Sequence, residues 1–164
     1  MTHVHPSLDI DGPVQAEVLV VWLHDGRIEL TGPCGPAPWL IHIERADHPV
    51  DVVARIVRDE IGEPRIVHST SWRRDREAVI LSFVVVIDAG LRGSMASTPI
   101  ARSALARSEA TAAPAEIAHE QVLEHALRHL AWLIRDDPVV AAGLPPSWTA
   151  ALEGYVPEPF RSLG

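Results

Sequence analysis

Four groups of side chains in this sequence are of types that do chemistry. The first is acidic. Glu44, Asp47, Asp51, Asp59 and Glu60, with Arg55 among them, fall within residues 41–63, IHIERADHPVDVVARIVRDEIGE. Taken by themselves, Asp59 and Glu60 read as solvated residues at a helix end, with Arg55 pairing with one of them, because charged helix residues usually sit at the surface. The second group is His125 and His129, four residues apart on a helical stretch, with Glu124 beside them. That spacing suits a transition metal. His119, however, is out of phase with them and no third ligand is in register, so a polar helix face is the plainer reading. His3 and His5 alternate near the chain start and read as untethered. The third is Cys34, in the loop TGPCGPAP. A catalytic thiolate needs a base such as His24 or His42 beside it, and a small buried apolar role is the alternative. The loop has neither the lysine nor the spacing of a phosphate-cradling loop. The fourth is the set of five tryptophans. Trp22 and Trp132 lie in apolar stretches and read as core. Trp39 and Trp72 flank polar segments and would either stack on a ligand ring or pack inside.

The elements that must position these groups follow from hydrophobic period and turn chemistry. Residues 1–13 form a lead-in with Pro6, Gly12 and Pro13. Residues 14–23 are apolar except for Gln15 and Glu17, the pattern of a strand covered on both faces. Asp25-Gly26 is a turn dipeptide, and 27–30 resumes as the second arm of a hairpin. After the Pro/Gly loop 31–38, residues 39–44 read as a short strand. Asp47 is a good N-cap ahead of Pro49, and Val53, Ile56, Val57 and Ile61 make an apolar stripe along a helix over 50–61, stopped by Gly62 and Pro64. Residues 65–72 form a strand, 73–77 a charged turn, and 78–87 (AVILSFVVVI) a buried strand. Residues 94–115 read as a long loop. A helix over 116–135 carries Leu123, Ala126, Leu127, Leu130, Leu133 and Ile134 on one stripe and ends at Asp136, Asp137 and Pro138. The Pro-rich tail, 141–164, holds one short helix near Trp148 and Leu152. Strands, helix, strands, helix predicts a mixed sheet packed between helices.

Residues 41–63 resemble the signature of the Nudix hydrolase superfamily: Gly, five residues, Glu, seven residues, then Arg-Glu-apolar-x-Glu-Glu-x-Gly-apolar. Arg55 takes the Arg position, Val57 the apolar one, Asp59 and Glu60 the paired acids, Gly62 the closing glycine and Asp47 the first Glu. Ile41 stands where the family has its opening Gly, Ile56 where it has the Glu after Arg, and Glu63 where it ends on an apolar residue. The resemblance implies a Nudix-type α/β/α sandwich, with a mixed sheet between the 50–61 helix and the 116–135 helix, as a domain over 14–140. It also implies magnesium held by helix carboxylates, where the metal neutralises a diphosphate and polarises the attacking water. Here Asp47, Asp59 and Glu60 would be the metal set, with Asp59 and Glu60 catalytic and Arg55, Trp39, Trp72 and Glu44 around a ligand. Ile56 lies one turn from Glu60 on the same face and cannot coordinate a hard cation.

Composition bounds the rest. The chain has 164 residues, enough for one core. All 14 basic residues are Arg, and the formal net charge is −8, spread along the chain. That excludes the clustered basic face of a nucleic-acid binder and docking on an anionic membrane. One cysteine excludes an intrachain disulfide and a thiolate zinc site of the usual kind. MTHVHPSLDI lacks the basic and apolar regions of a signal peptide, and no apolar run reaches membrane-spanning length, so the expected location is cytoplasmic. The leading functional expectation is a Nudix-like domain with a degraded box that needs no cofactor and binds a small phosphorylated or nucleotide-like ligand. A second is an active, magnesium-dependent diphosphate hydrolase with a base relocated to Glu77 or Glu120. A third is a homodimeric interaction module.

Overall fold

A computed structural model describes residues 12–35, 37–103 and 116–156. His3, His5, most of the lead-in, the middle of the 94–115 loop and the last part of the tail lie outside them. The chain is a mixed α/β structure. Its strands are β1 (Val14–His24), β2 (Arg27–Thr31), β3 (Trp39–Ile43), β4 (Ile66–Asp75), β5 (Ala78–Val86) and β6 (Ser97–Pro99), in one six-stranded sheet. Its helices are α1 (Pro49–Glu60), α2 (His119–Asp136), α3 (Pro138–Gly143) and α4 (Pro146–Ala151), with a 3-10 turn at Ala89–Leu91.

The strand order is β4-β5-β1-β2-β6. β1 runs parallel to β5, while β2 and β3 both pair antiparallel with its other flank: β3 with residues 14–18 and β2 with residues 20–24. The β1–β2 hairpin turns on Asp25 and Gly26, both at positive φ (48° and 76°), as a tight two-residue turn requires.

Period-two alternation splits the core into two layers. Leu19 and Val21 of β1, with Val84 and Val86 of β5, face Leu123, Leu127 and Leu130 of α2. Val18, Val20 and Trp22, with Phe83 and Val85, face Val52, Val53 and Val57 of α1. The sheet is therefore covered by α1 on one side and α2 on the other. The segment read as a Pro-rich tail joins the α2 layer, to which it contributes Leu144, Trp148, Leu152 and Tyr155. Among the described residues no helix is long and apolar enough to cross a membrane.

Three local expectations need correction. Asp47 is not the N-cap of α1. Pro49 takes the first helical position, so the cap falls on His48, which makes no side-chain cap bond, and the Asp47 amide instead bonds the Glu44 carbonyl at 3.0 Å. Asp137-Pro138 ends α2 but also starts α3, because the Asp137 carboxylate accepts from the amides of Val139 and Val140. The charged 73–77 segment is not all turn: β4 extends through Asp75 before the turn at Arg76 and Glu77.

Gly62 closes α1 at φ 134°. An added Cβ there would lie 2.8 Å from the Leu91 side chain, which packs on the α1 layer. Backbone conformation and close approach both demand glycine. Gly62→Ala is expected to cost roughly 1–3 kcal/mol through backbone strain, and Leu127→Ala, in a fully buried position, roughly 2–5 kcal/mol. Urea unfolding of each variant measures both.

Candidate functional site

Residues 41–63 fold as strand, turn, helix and turn. Ile41 and Ile43 of β3 point into the layer beneath α1, and α1 seats Val52, Val53 and Val57 on it. Ile56 is partly buried and packs on the same layer. The outer face carries Asp51, Arg55, Arg58, Asp59 and Glu60, all exposed. Arg55 pairs with neither Asp59 nor Glu60. The ion pair at this end of the helix joins Arg58 to Glu63, the residue at the motif's last apolar position. Each partner holds the other in its charged form: the Arg58 guanidinium is shifted up and the Glu63 carboxyl down, chiefly through their mutual hydrogen bond.

The helix separates the proposed metal set. α1 has 12 residues, a length of about 18 Å. Asp47 precedes its first turn, and Asp59 and Glu60 close its last. Asp59 and Glu60 are consecutive and exposed at one end, Asp47 lies by Glu44 at the other, and the two ends do not meet. Among the described residues no three His, Cys, Asp or Glu side chains are placed to hold a metal ion jointly. The donor set does not fit magnesium: one turn from Glu60 stands the hydrocarbon of Ile56, turned to the core.

The ligand residues expected from sequence also divide. Glu44 lies 3.3 Å from His42, and both line an open hollow of about 440 Å³ with Gly12, Pro13, Val14, Ile43 and Arg45. Trp39 begins β3 and packs on the α1 layer. Trp72 is 70% exposed, so it is not core. In the strand register it falls in one row with Leu81, Ala16 and Ile41, which places it on the α1 face near the sheet edge. Glu77 is exposed at the β4–β5 turn, and Glu120 is exposed in the first turn of α2, across the sheet from α1. Cys34 is exposed, not buried.

The carboxylates that the structure encloses are others. Glu17, 3% exposed in β1, accepts two bonds from Arg73 of β4 (2.7 and 3.1 Å) and one from the Ser82 hydroxyl of β5 (3.1 Å). His119, the first residue of α2, has Nδ1 3.9 Å from Glu17 Oε1, beyond hydrogen-bond length, so Arg73 is the closer anchor. Burial raises the Glu17 carboxyl, but His119, Arg73 and Ser82 more than offset it and hold it at about 2. Glu124, 1% exposed on α2, is the hub of a second cluster: Arg102 (2.8 and 3.0 Å), Arg128 (3.0 Å) and the Ser103 amide (3.5 Å) all donate to it. Burial raises this carboxyl too, and the two guanidinium groups override it, for a net downward shift. Arg102 also stacks over Tyr155 at 4.1 Å and donates to the Gly154 carbonyl. The sequence signal for Glu17 was a charge inside an apolar strand. Glu124 had none beyond its place beside the α2 stripe.

The chain matches no family model, and no curated protein matches it.

Both buried carboxylates are acid-labile supports. A carboxyl held below its ordinary value stabilises the fold above the unfolded-state pKa, and that contribution is lost as pH falls through the folded one. For Glu17 the window runs from 4.5 down to about 2, a difference worth on the order of 3 kcal/mol. Glu17→Gln is expected to be destabilised at neutral pH, because Arg73 loses its anion, and to show a flatter stability profile across that window. Urea unfolding at a series of pH values tests both.

Proposed function

We propose that this chain is a Nudix-like domain whose box helix has lost its metal clamp, and that it binds a small phosphorylated or nucleotide-like ligand without hydrolysing it. Ile56 carries the reading. Where the family places a carboxylate one turn from Glu60, this chain places a side chain that packs on the apolar layer with Val53 and Val57. A hard cation takes oxygen ligands. Asp59 and Glu60 alone, exposed at a helix end, leave most of a coordination shell to water.

Several features support the family likeness: a mixed sheet between two helices, the strand–turn–helix course of residues 41–63, and a glycine with φ 134° at position 62. Ligand binding is supported by the hollow beside the motif's first strand, which is lined by Arg45, His42 and Glu44 among others. An arginine suits phosphate. Trp72, exposed on the edge strand β4, offers a ring for stacking. The proposed ligand needs no metal bridge.

A thermal-shift screen of nucleotides and sugar nucleotides, with and without magnesium, tests the proposal. A ligand at 100 times its dissociation constant adds about 2.7 kcal/mol of stability. The expected result is a magnesium-independent shift that Arg45→Ala diminishes, with no product formed. Magnesium-dependent cleavage of a nucleoside diphosphate derivative, abolished by Glu60→Gln, would sink the reading.

A further inference from the structure

We infer that the contact between edge strand β4 and helix α2 is a proton-operated fastening, closed when His68 and His129 are neutral and loosened when they are charged. His68 sits on the α2 face of β4, and its ring centroid is 4.9 Å from that of His129 on α2. His129 stacks on Trp132 at 5.6 Å with an interplanar angle of 13°. His125 stacks on the other flank of His129 at 6.3 Å and 29°. Residues 125, 129 and 132 fall on one stripe of α2. Where the rest of α2 meets the sheet through leucines, here His129, flanked by His125 and Trp132, meets His68. Along α2 the rings stack, while His68 meets His129 tilted, at an interplanar angle of 60°.

Neutral imidazoles in ring contact pack well, and charged ones repel. Among the described residues, Nε2 of His68 is buried without a hydrogen-bond partner, so a proton there gains no acceptor. Burial, first of all, lowers the proton affinity of both rings. The charges of His68 and His125 lower that of His129 further, and the one opposing influence on His68 is the Asp137 carboxylate beyond the end of α2. Across β5, His68 stands in register with Val84. α3 carries no ionisable residue. Arg128, beside His129 in the chain, is bonded to Glu124 at 3.0 Å.

The sign follows from linkage. With folded-state affinities below the ordinary value of 6.5, the unfolded or loosened chain takes up protons first as pH falls. The fastening is intact above about pH 6.5 and weakens below it. This window lies above that of the two buried carboxylates, so the two effects separate on one pH axis.

Two measurements on the full chain test the inference. The first is a nuclear magnetic resonance titration of the histidine rings and backbone amides from about pH 7.5 to about pH 5. His68 and His129 are expected to protonate below 6.5, with amide shifts gathered on β4 and α2. Protonation of both at or above the ordinary value, or shifts spread equally over α1 and β3, overturns the inference. The second compares the melting temperature over the same range for the wild type and for His68→Val combined with His129→Leu. The wild type is expected to lose stability steadily as pH falls, and the double variant to lose clearly less. An unchanged slope overturns the inference. Should the double variant fail to fold, the wild-type titration decides alone.

Discussion

Strand β1 has no face in water. From Ala16 to Trp22 every residue is buried, and the backbone is bonded on one flank to β5 and on the other to β2 and β3. A strand enclosed in this way needs an apolar layer on each side, and α1 and α2 supply them. The one charge it carries must then be matched inside the protein, since an unpaired buried carboxylate is prohibitively costly. Glu17 meets that demand through Arg73 from β4 and Ser82 from β5, with His119 of α2 standing 3.9 Å away. Its position at the N-terminal end of α2 adds the favourable sign of the helix dipole. A single side chain in the central strand thus links the sheet edge, its centre and the helix above it.

The two faces of the sheet have divided their work. The α1 layer is hydrocarbon: Ala16, Val18, Val20, Ile41, Ile43, Val53 and Val57, with Ile56, Leu91 and Met95 packed around them. Ionisable groups on this side stay at its rim, as in the exposed Asp59 and Glu60. The α2 side encloses Glu17 and Glu124 and half-buries His68 and His129. The same geometry explains why the acids of residues 41–63 do not assemble. Helix α1 anchors itself by an apolar stripe that includes the Ile56 position, and every turn given to that stripe is a turn taken from a carboxylate face.

Much of this was legible in the sequence, for identifiable reasons. β1, β5, α1 and α2 have strong periods and lengths that suit their type, and the structure places them within a residue or two, α2 starting somewhat later. Asp25-Gly26 and Gly62 are legible because few residues tolerate their backbone angles. β6 is three residues long and exists only through its bonds to β2, so no local pattern marks it. α3 was hidden because Asp137-Pro138 reads as a stop, although the same dipeptide is also a good start. Trp72 shows the limit of composition: an aromatic in a strand is core or surface according to which neighbour covers it, and on the edge strand nothing among the described residues does. At the candidate site, residue types were legible, but the distance between the two ends of α1 entered only with the helix itself.

The enclosed polar groups of the α2 side were the least legible, because their partners are remote in sequence. Arg73 lies 56 residues from Glu17, and Arg102 lies 22 from Glu124. Their arrangement follows one rule with two outcomes. Where an arginine can reach, the buried group is a charged carboxylate, stabilised by paired hydrogen bonds and vulnerable only to strong acid. At the seam of β4 and α2 the half-buried groups are histidines, which avoid the desolvation cost by staying neutral and so are vulnerable near their own titration range. The kind of ionisable group, a carboxylate held by guanidinium or a half-buried imidazole, therefore decides which part of this α2 face responds to mild acid and which endures it.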